Sequence, residues 1–150
     1  MNPPSCISEP VILTTGNRKY PWRFRDDWEI RVGKDCGNHD FRDAQGRVWL
    51  SFRGTVMIVR AGYAWDGASC APDFPAVLAA SGAHDALCQF RRVPCFPLSK
   101  SEIDGIFRGL MSRSFLPRWI YWVAVRLFGD IYAGLAPAPE CASCGLPHGR

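Results

Sequence analysis

The chain has no cluster of lysines and arginines, no uninterrupted apolar run long enough to cross a bilayer, no glycine-rich phosphate loop and no Gly-x-Ser-x-Gly elbow. Each absence removes a class of function. The 18 basic and 14 acidic residues are interspersed and leave a net charge of +4. That charge requires neither a nucleic-acid nor an anionic-membrane partner. Only three of the 18 basic residues are lysine, an imbalance that reads as a GC-rich coding source rather than a binding code. The nearest approach to a span, Phe115 to Leu135, carries Arg118, Arg126 and Asp130, which argues against spanning. Met1 to Cys6 has neither a basic region nor an apolar core, so no secretory leader is expected and the chain is expected to be made in a cytoplasm. There is no internal repeat and no heptad pattern. Seven cysteines without an export signal point to reduced thiols or a metal site ahead of a disulfide framework.

What is present fits one domain. At 150 residues and 47% apolar composition, the chain can bury a core and is not disordered by composition. Residues 1–135 are expected to form a single α+β domain, followed by a Pro/Cys-rich C-terminal tail, 136–150, opened by Ala136-Pro137-Ala138-Pro139. Val11 to Leu13, Trp28 to Val32, Arg47 to Phe52 and Thr55 to Val59 read as strands, with Arg53-Gly54 as a tight hairpin. This predicts an N-terminal antiparallel meander of four or five strands. Residues 61–73 read as a loop. A helix is expected from Asp73-Phe74-Pro75 onward, with Asp73 as cap, Pro75 in the first turn, and Gly82 allowing a close helix contact. Ser99-Lys100-Ser101-Glu102 matches a capping box, followed by Ile103, Ile106, Phe107, Leu110 and Met111 at helical spacing. Pro117 opens a third helix. The C-terminal half is therefore read as three helices beside the meander.

The chemistry concentrates in Gly82-Ala83-His84-Asp85-Ala86-Leu87-Cys88 and Ser101-Glu102-Ile103-Asp104. Two helices joined by a short connection pack as neighbours, which brings His84 opposite Asp104. Histidine is the commonest general base, and a carboxylate on its far nitrogen fixes its tautomer. His84 and Asp104 are thus the candidate catalytic pair. Asp85 and Asp66, with loop carbonyls, are candidate oxygen ligands for Ca²⁺. The competing reading is a hydrogen-bonded core histidine beside helix-face acids.

The ordered set Gly62-Tyr63-Ala64-Trp65-Asp66-Gly67-Ala68-Ser69, Ala83-His84-Asp85-Ala86-Leu87, Glu102-Ile103-Asp104-Gly105-Ile106-Phe107 and Tyr121-Trp122-Val123-Ala124-Val125-Arg126-Leu127-Phe128-Gly129 resembles a small phage and prophage protein family of unknown function. The likeness covers roughly residues 45 to 130. It implies a phage or prophage origin but no reaction. More distantly, His-Asp on one helix and Asp twenty residues later resembles the helix pair of the phospholipases A2. That resemblance implies His84 as the base that activates water, Asp85 as a Ca²⁺ ligand and Asp104 as the orienting acid, with Asp66 as a loop ligand. The chain departs from that pattern where Cys88 and Gln89 replace the usual tyrosine, in its loop glycines, and in lacking the disulfide ladder.

Two further features stand apart. Cys141-Ala142-Ser143-Cys144, with His148 four positions on, has half of a Zn or iron–sulfur site, which Cys6, Cys36, Cys70, Cys88 or Cys95 would have to complete. Trp119, Trp122 and Phe128 make the third helix apolar on several sides, suiting an interface with self or with other proteins of a particle. Arg23, Arg25, Arg42 and Arg47 alternate with Trp22, Phe24 and Trp49, a pattern any half-buried strand shows, so nucleic acid is not the expected partner.

Two functions follow as expectations. The first is a virion-associated accessory or structural protein of a tailed bacteriophage, at the tail tip or baseplate, in contact with other phage structural proteins. The second is a small Ca²⁺-dependent hydrolase, phospholipase-like or envelope-directed, acting on host envelope lipid or peptidoglycan through a His84/Asp104 dyad. A phage particle carrying such an enzyme satisfies both.

Overall fold

The computed structural model describes residues 3–67, 75–111 and 140–141. These form nine strands and two helices, an α+β architecture. The strands are β1 (Ser5–Cys6), β2 (Ile12–Thr14), β3 (Trp22–Phe24), β4 (Trp28–Arg31), β5 (Asn38–Arg42), β6 (Val48–Arg53), β7 (Val56–Val59) and β8 (Ala64–Trp65). Helices α1 (Pro75–Phe90) and α2 (Lys100–Leu110) follow, then β9 (Glu140–Cys141). A six-stranded sheet runs β1-β4-β7-β6-β5-β9 and a three-stranded sheet runs β2-β3-β8, and every pairing is antiparallel.

Period-two alternation builds the main sheet. Trp28 and Ile30 of β4 are buried while Arg31 is exposed, and Met57 and Val59 of β7 are buried opposite them. β6 and β7 close through a two-residue loop, Gly54-Thr55, in which Gly54 takes φ +59°. The hairpin therefore turns one residue later than Arg53-Gly54. Ser51 breaks the alternation of β6 by being buried, and its polarity is answered on both sides. Its hydroxyl donates to Asp40 Oδ1 at 2.6 Å and accepts from Arg60 Nη2 at 2.9 Å.

The expected meander of four or five strands is thus too small. β5 carries the polar run Asn38-His39-Asp40, and β8 lies inside the segment read as a loop. Both are strands through pairing rather than through alternation.

Helix α1 begins at Pro75, where its fixed φ suits a first turn. Its Gly82 meets the sheet, not a helix: a Cβ there would stand 2.9 Å from Phe24 and from the Trp65 ring. Phe24 and Trp65 stack at 4.5 Å beneath it. The Trp65 indole donates to Ser81 Oγ at 3.0 Å, and Ser81 donates onward to the Leu78 carbonyl at 2.7 Å. These contacts set α1 against β8.

Helix α2 opens with the expected capping box: Ser99 accepts from Glu102 N–H, and Glu102 accepts from Ser99 N–H at 2.7 Å. Lys34, from the connector after β4, adds donations to Glu102 Oε1 at 2.9 Å and to the Pro97 carbonyl at 3.0 Å. The start of α2 is therefore pinned to the sheet. Ile103, Ile106, Phe107 and Met111 bury its apolar side, and Asp104 is buried among them.

Among the described residues, no helix is long and apolar enough to cross a membrane. The third helix, with Trp119, Trp122 and Phe128, and the Asp73 cap lie outside the described residues.

Candidate functional site

The site is the seam between α1 and α2, completed by the end of β8. His84 and Asp104 are both buried, at 4% and 0% side-chain exposure, and His84 Nε2 lies 3.1 Å from Asp104 Oδ1. Lys100, one turn before Asp104 on α2, places Nζ 2.5 Å from Oδ1 and 2.7 Å from Oδ2. Three side chains on two helices thus form a linked chain, Lys100–Asp104–His84. The Phe107 ring covers the imidazole at 5.1 Å between centroids.

Electrostatics assigns the protons. Burial pushes the Asp104 carboxyl up, but hydrogen bonds from His84 and Lys100 outweigh it and hold the group below the usual carboxylate range. An ionised carboxylate only accepts, so His84 Nε2 must donate. Burial lowers the His84 pKa, Asp104 raises it, and the nearby charges of Lys100 and Arg91 lower it; the net direction is down. The imidazole is therefore neutral at neutral pH, with its proton on Nε2 and its lone pair on Nδ1.

Nδ1 lies on the Asp85 side of the buried ring. It lies 4.0 Å from Asp85 Oδ1, and the Asp85 side chain is 32% exposed. Asp85 in turn hydrogen-bonds Asp66, at the end of β8. Crowding by protein, then the Asp66 carboxylate, pushes the Asp85 pKa well above its ordinary value. Two carboxyls bond to one another only by sharing a proton, or come together around a cation. Their hard oxygens suit Ca²⁺, and as two ligands they make part of its usual set of six to eight. Among the described residues, no group of three His, Cys, Asp or Glu side chains converges as a metal site.

One helical turn further along α1, Gln89 accepts from the Tyr63 hydroxyl at 3.0 Å. The segment from Tyr63 to Asp66 thus lies along α1 with two side-chain rungs, Tyr63–Gln89 and Asp66–Asp85. Burial, with the neighbouring Asp85 charge second, raises the Tyr63 pKa well above its ordinary value, so this phenol stays a donor.

Cys88 is not a nucleophile. Its Sγ stands 3.7 Å from Nδ1 and 3.6 Å from Nε2 of His84. A sulfur equidistant from both ring nitrogens is in line with neither, because the two nitrogens point away from each other. Burial first, then the Asp85 charge, pushes the thiol up to about 12.

The structure brings together His84, Asp104, Asp85 and Asp66. Lys100, Tyr63 and Gln89 join them, and sequence reasoning missed all three. An i, i+4 pairing of Lys100 with Asp104 was the readable signal for the first.

The cysteine expectation needs correction. Cys95, in the α1–α2 connector, is disulfide-bonded and so is unavailable as a metal ligand; its partner lies outside the described side chains. Cys36 and Cys88 are buried free thiols and Cys6 is an exposed one. The backbone of Cys141 pairs with Phe41 in β9, while Cys70, Cys144 and His148 lie outside the described residues. Of the arginine–aromatic pattern, Arg47 covers the Trp49 ring at 4.1 Å, and Phe24 is core.

No family model matches the chain, and no curated protein or solved structure matches it.

Proposed function

We propose that the protein is a small hydrolase of ester or envelope substrates in which His84 is the general base. The observation that carries this reading is the His84 Nε2–Asp104 Oδ1 contact at 3.1 Å between two buried side chains. It leaves Nδ1 as the proton acceptor, toward the partly exposed Asp85. In the reaction, water entering past Asp85 gives a proton to Nδ1 as its oxygen attacks the carbonyl carbon. The carbonyl π bond opens to an oxyanion. Collapse re-forms the carbonyl and expels the alkoxide of an ester, or the amine of a peptide bond, which takes the proton back from His84. Asp104 stabilises the imidazolium formed between the two steps, a general-base contribution of roughly 10²–10⁴-fold. Asp85 and Asp66 are the residues that would hold Ca²⁺. A bound Ca²⁺ supplies positive charge to the developing oxyanion. The test is release of fatty acid from phosphatidylglycerol vesicles, and of muropeptides from peptidoglycan, with Ca²⁺ and with EDTA. Turnover by wild type that His84→Ala abolishes supports the reading. Turnover unaffected by His84→Ala defeats it.

A second reading has its own observation. The deep burial of His84 and Asp104 and the ion pair of Asp104 with Lys100 suit a polar clamp that fixes the register of two helices. Under it the chain is a structural component of a tailed-phage particle, the role implied by the family resemblance. Mass-spectrometric recovery of the chain in purified particles, without turnover, supports this reading over the first.

A further inference from the structure

We propose that Lys100 is a positioning residue for His84: its ammonium holds both oxygens of Asp104, so that the imidazole keeps its proton on Nε2 and offers Nδ1 as the acceptor. The inference rests on the hydrolase reading for its kinetic consequence, but not for its structural one.

Three observations converge. The geometry is a chain through one carboxylate: Nζ lies 2.5 and 2.7 Å from Oδ1 and Oδ2, and Nε2 lies 3.1 Å from Oδ1. With both oxygens engaged, the carboxylate plane cannot rotate away from the ring. The Lys100 side chain is itself only 20% exposed, so solvent screens the contact weakly.

The location is the second observation. Lys100 is the first residue of α2, where the helix dipole disfavours a cation. A lysine four residues before an acid is also the weaker order for a helical ion pair. The needs of the helix alone therefore do not account for a lysine here. The acid it holds does.

The third is the proton balance. Asp104 has no exposed side-chain surface, and against that burial it stays ionised through the His84 hydrogen bond and the Lys100 hydrogen bond and charge. Without the ammonium, one of the groups that hold Asp104 ionised is gone, and the carboxyl's pKa moves up. Where the carboxyl takes up a proton, Asp104 donates its O–H to Nε2, and the imidazole proton moves to Nδ1. The number of protons on the ring is unchanged, but the lone pair now points at Asp104. A base facing the substrate becomes one facing the core.

The experiment uses the full chain labelled with ¹⁵N-histidine. Long-range ¹H–¹⁵N spectra recorded from pH 9 down to pH 6 report which nitrogen of each neutral imidazole is protonated, and His84→Gln assigns the His84 signals among the three histidines. Wild type and Lys100→Arg are expected to carry the proton on Nε2 throughout; Lys100→Met is expected to carry it on Nδ1 toward the acidic end of that range. Lys100→Gln, which donates without charge, serves as a second variant should Lys100→Met not fold. With an ester substrate, kcat of Lys100→Met falls by about tenfold or more at unchanged KM, and Lys100→Arg restores it. A proton on Nδ1 in wild type overturns the proposal without any variant. So does a proton that stays on Nε2 across the whole pH range in the uncharged variants. Absence of turnover in wild type defeats the hydrolase reading and leaves the tautomer result standing, so the two failures are distinguishable.

Discussion

The Trp65 indole and the Ser81 hydroxyl form a buried hydrogen bond at 3.0 Å that joins β8 to α1. It is the fixed point from which Asp66, next along the chain, reaches Asp85. Ser81→Ala removes the acceptor and leaves a buried N–H unsatisfied. The expected loss is about 1–3 kcal/mol, read as a lower urea midpoint at unchanged m value. No change in midpoint would mean that another group takes the indole proton.

Gly82 answers to the same contact. Alanine is the better helix former by about 1 kcal/mol, so propensity alone predicts stabilisation by Gly82→Ala. The Phe24 and Trp65 rings at 2.9 Å predict the reverse, because neither is a flexible tip that can swing aside. Overpacking of this kind costs about 1–3 kcal/mol, and thermal denaturation decides the sign.

Acid sensitivity follows from Asp40. Burial raises its pKa, but hydrogen bonds from Ser51 and Arg53 more than offset it, and the group titrates below its ordinary value. A depressed folded-state pKa gives stability that is fully present above the unfolded value of about 4 and is lost as pH falls through the folded one. The stability gap between wild type and Asp40→Asn is therefore expected to be constant from pH 5 to 7, within about 0.5 kcal/mol, and to shrink below about pH 4. Urea titrations at matched pH test this; a gap that widens with acid would contradict it.

Thiol labelling separates the cysteines. Cys36 is buried, with its thiol pushed up to about 11 chiefly by burial, and Cys88 is pushed up to about 12. Iodoacetamide at neutral pH is expected to modify Cys6 in the native protein and to reach Cys36 and Cys88 only after unfolding. Cys95 is expected to require a reductant as well. Peptide mass mapping reads all four, and native labelling of Cys88 at the Cys6 rate would contradict the burial.

How far these features could be read from sequence depended on their physics. Trp28, Ile30, Met57 and Val59 alternate, so β4 and β7 were readable, as was the Ser99–Glu102 capping box. Strand β5 was not, because Phe41 is its sole apolar residue and the Asp40 bonds to Ser51 and Arg53 come from another strand. The separations among Asp66, His84 and Asp104 suggested their convergence. The Ser99-Lys100-Ser101-Glu102 motif gives Lys100 only as part of a cap, and its bond to Asp104 shows once both side chains have directions. The Cys95 disulfide left no readable trace, since cysteine spacing does not give connectivity.

The most direct test of the dyad is a double-mutant comparison of kcat on the ester substrate, using wild type, His84→Ala, Asp104→Asn and the combination. Groups that act as one unit lose activity once: His84→Ala is expected to remove roughly 10²–10⁴-fold, and the double variant no more than that single change. Losses that multiply, or turnover that survives His84→Ala, would contradict a His84 base held by Asp104.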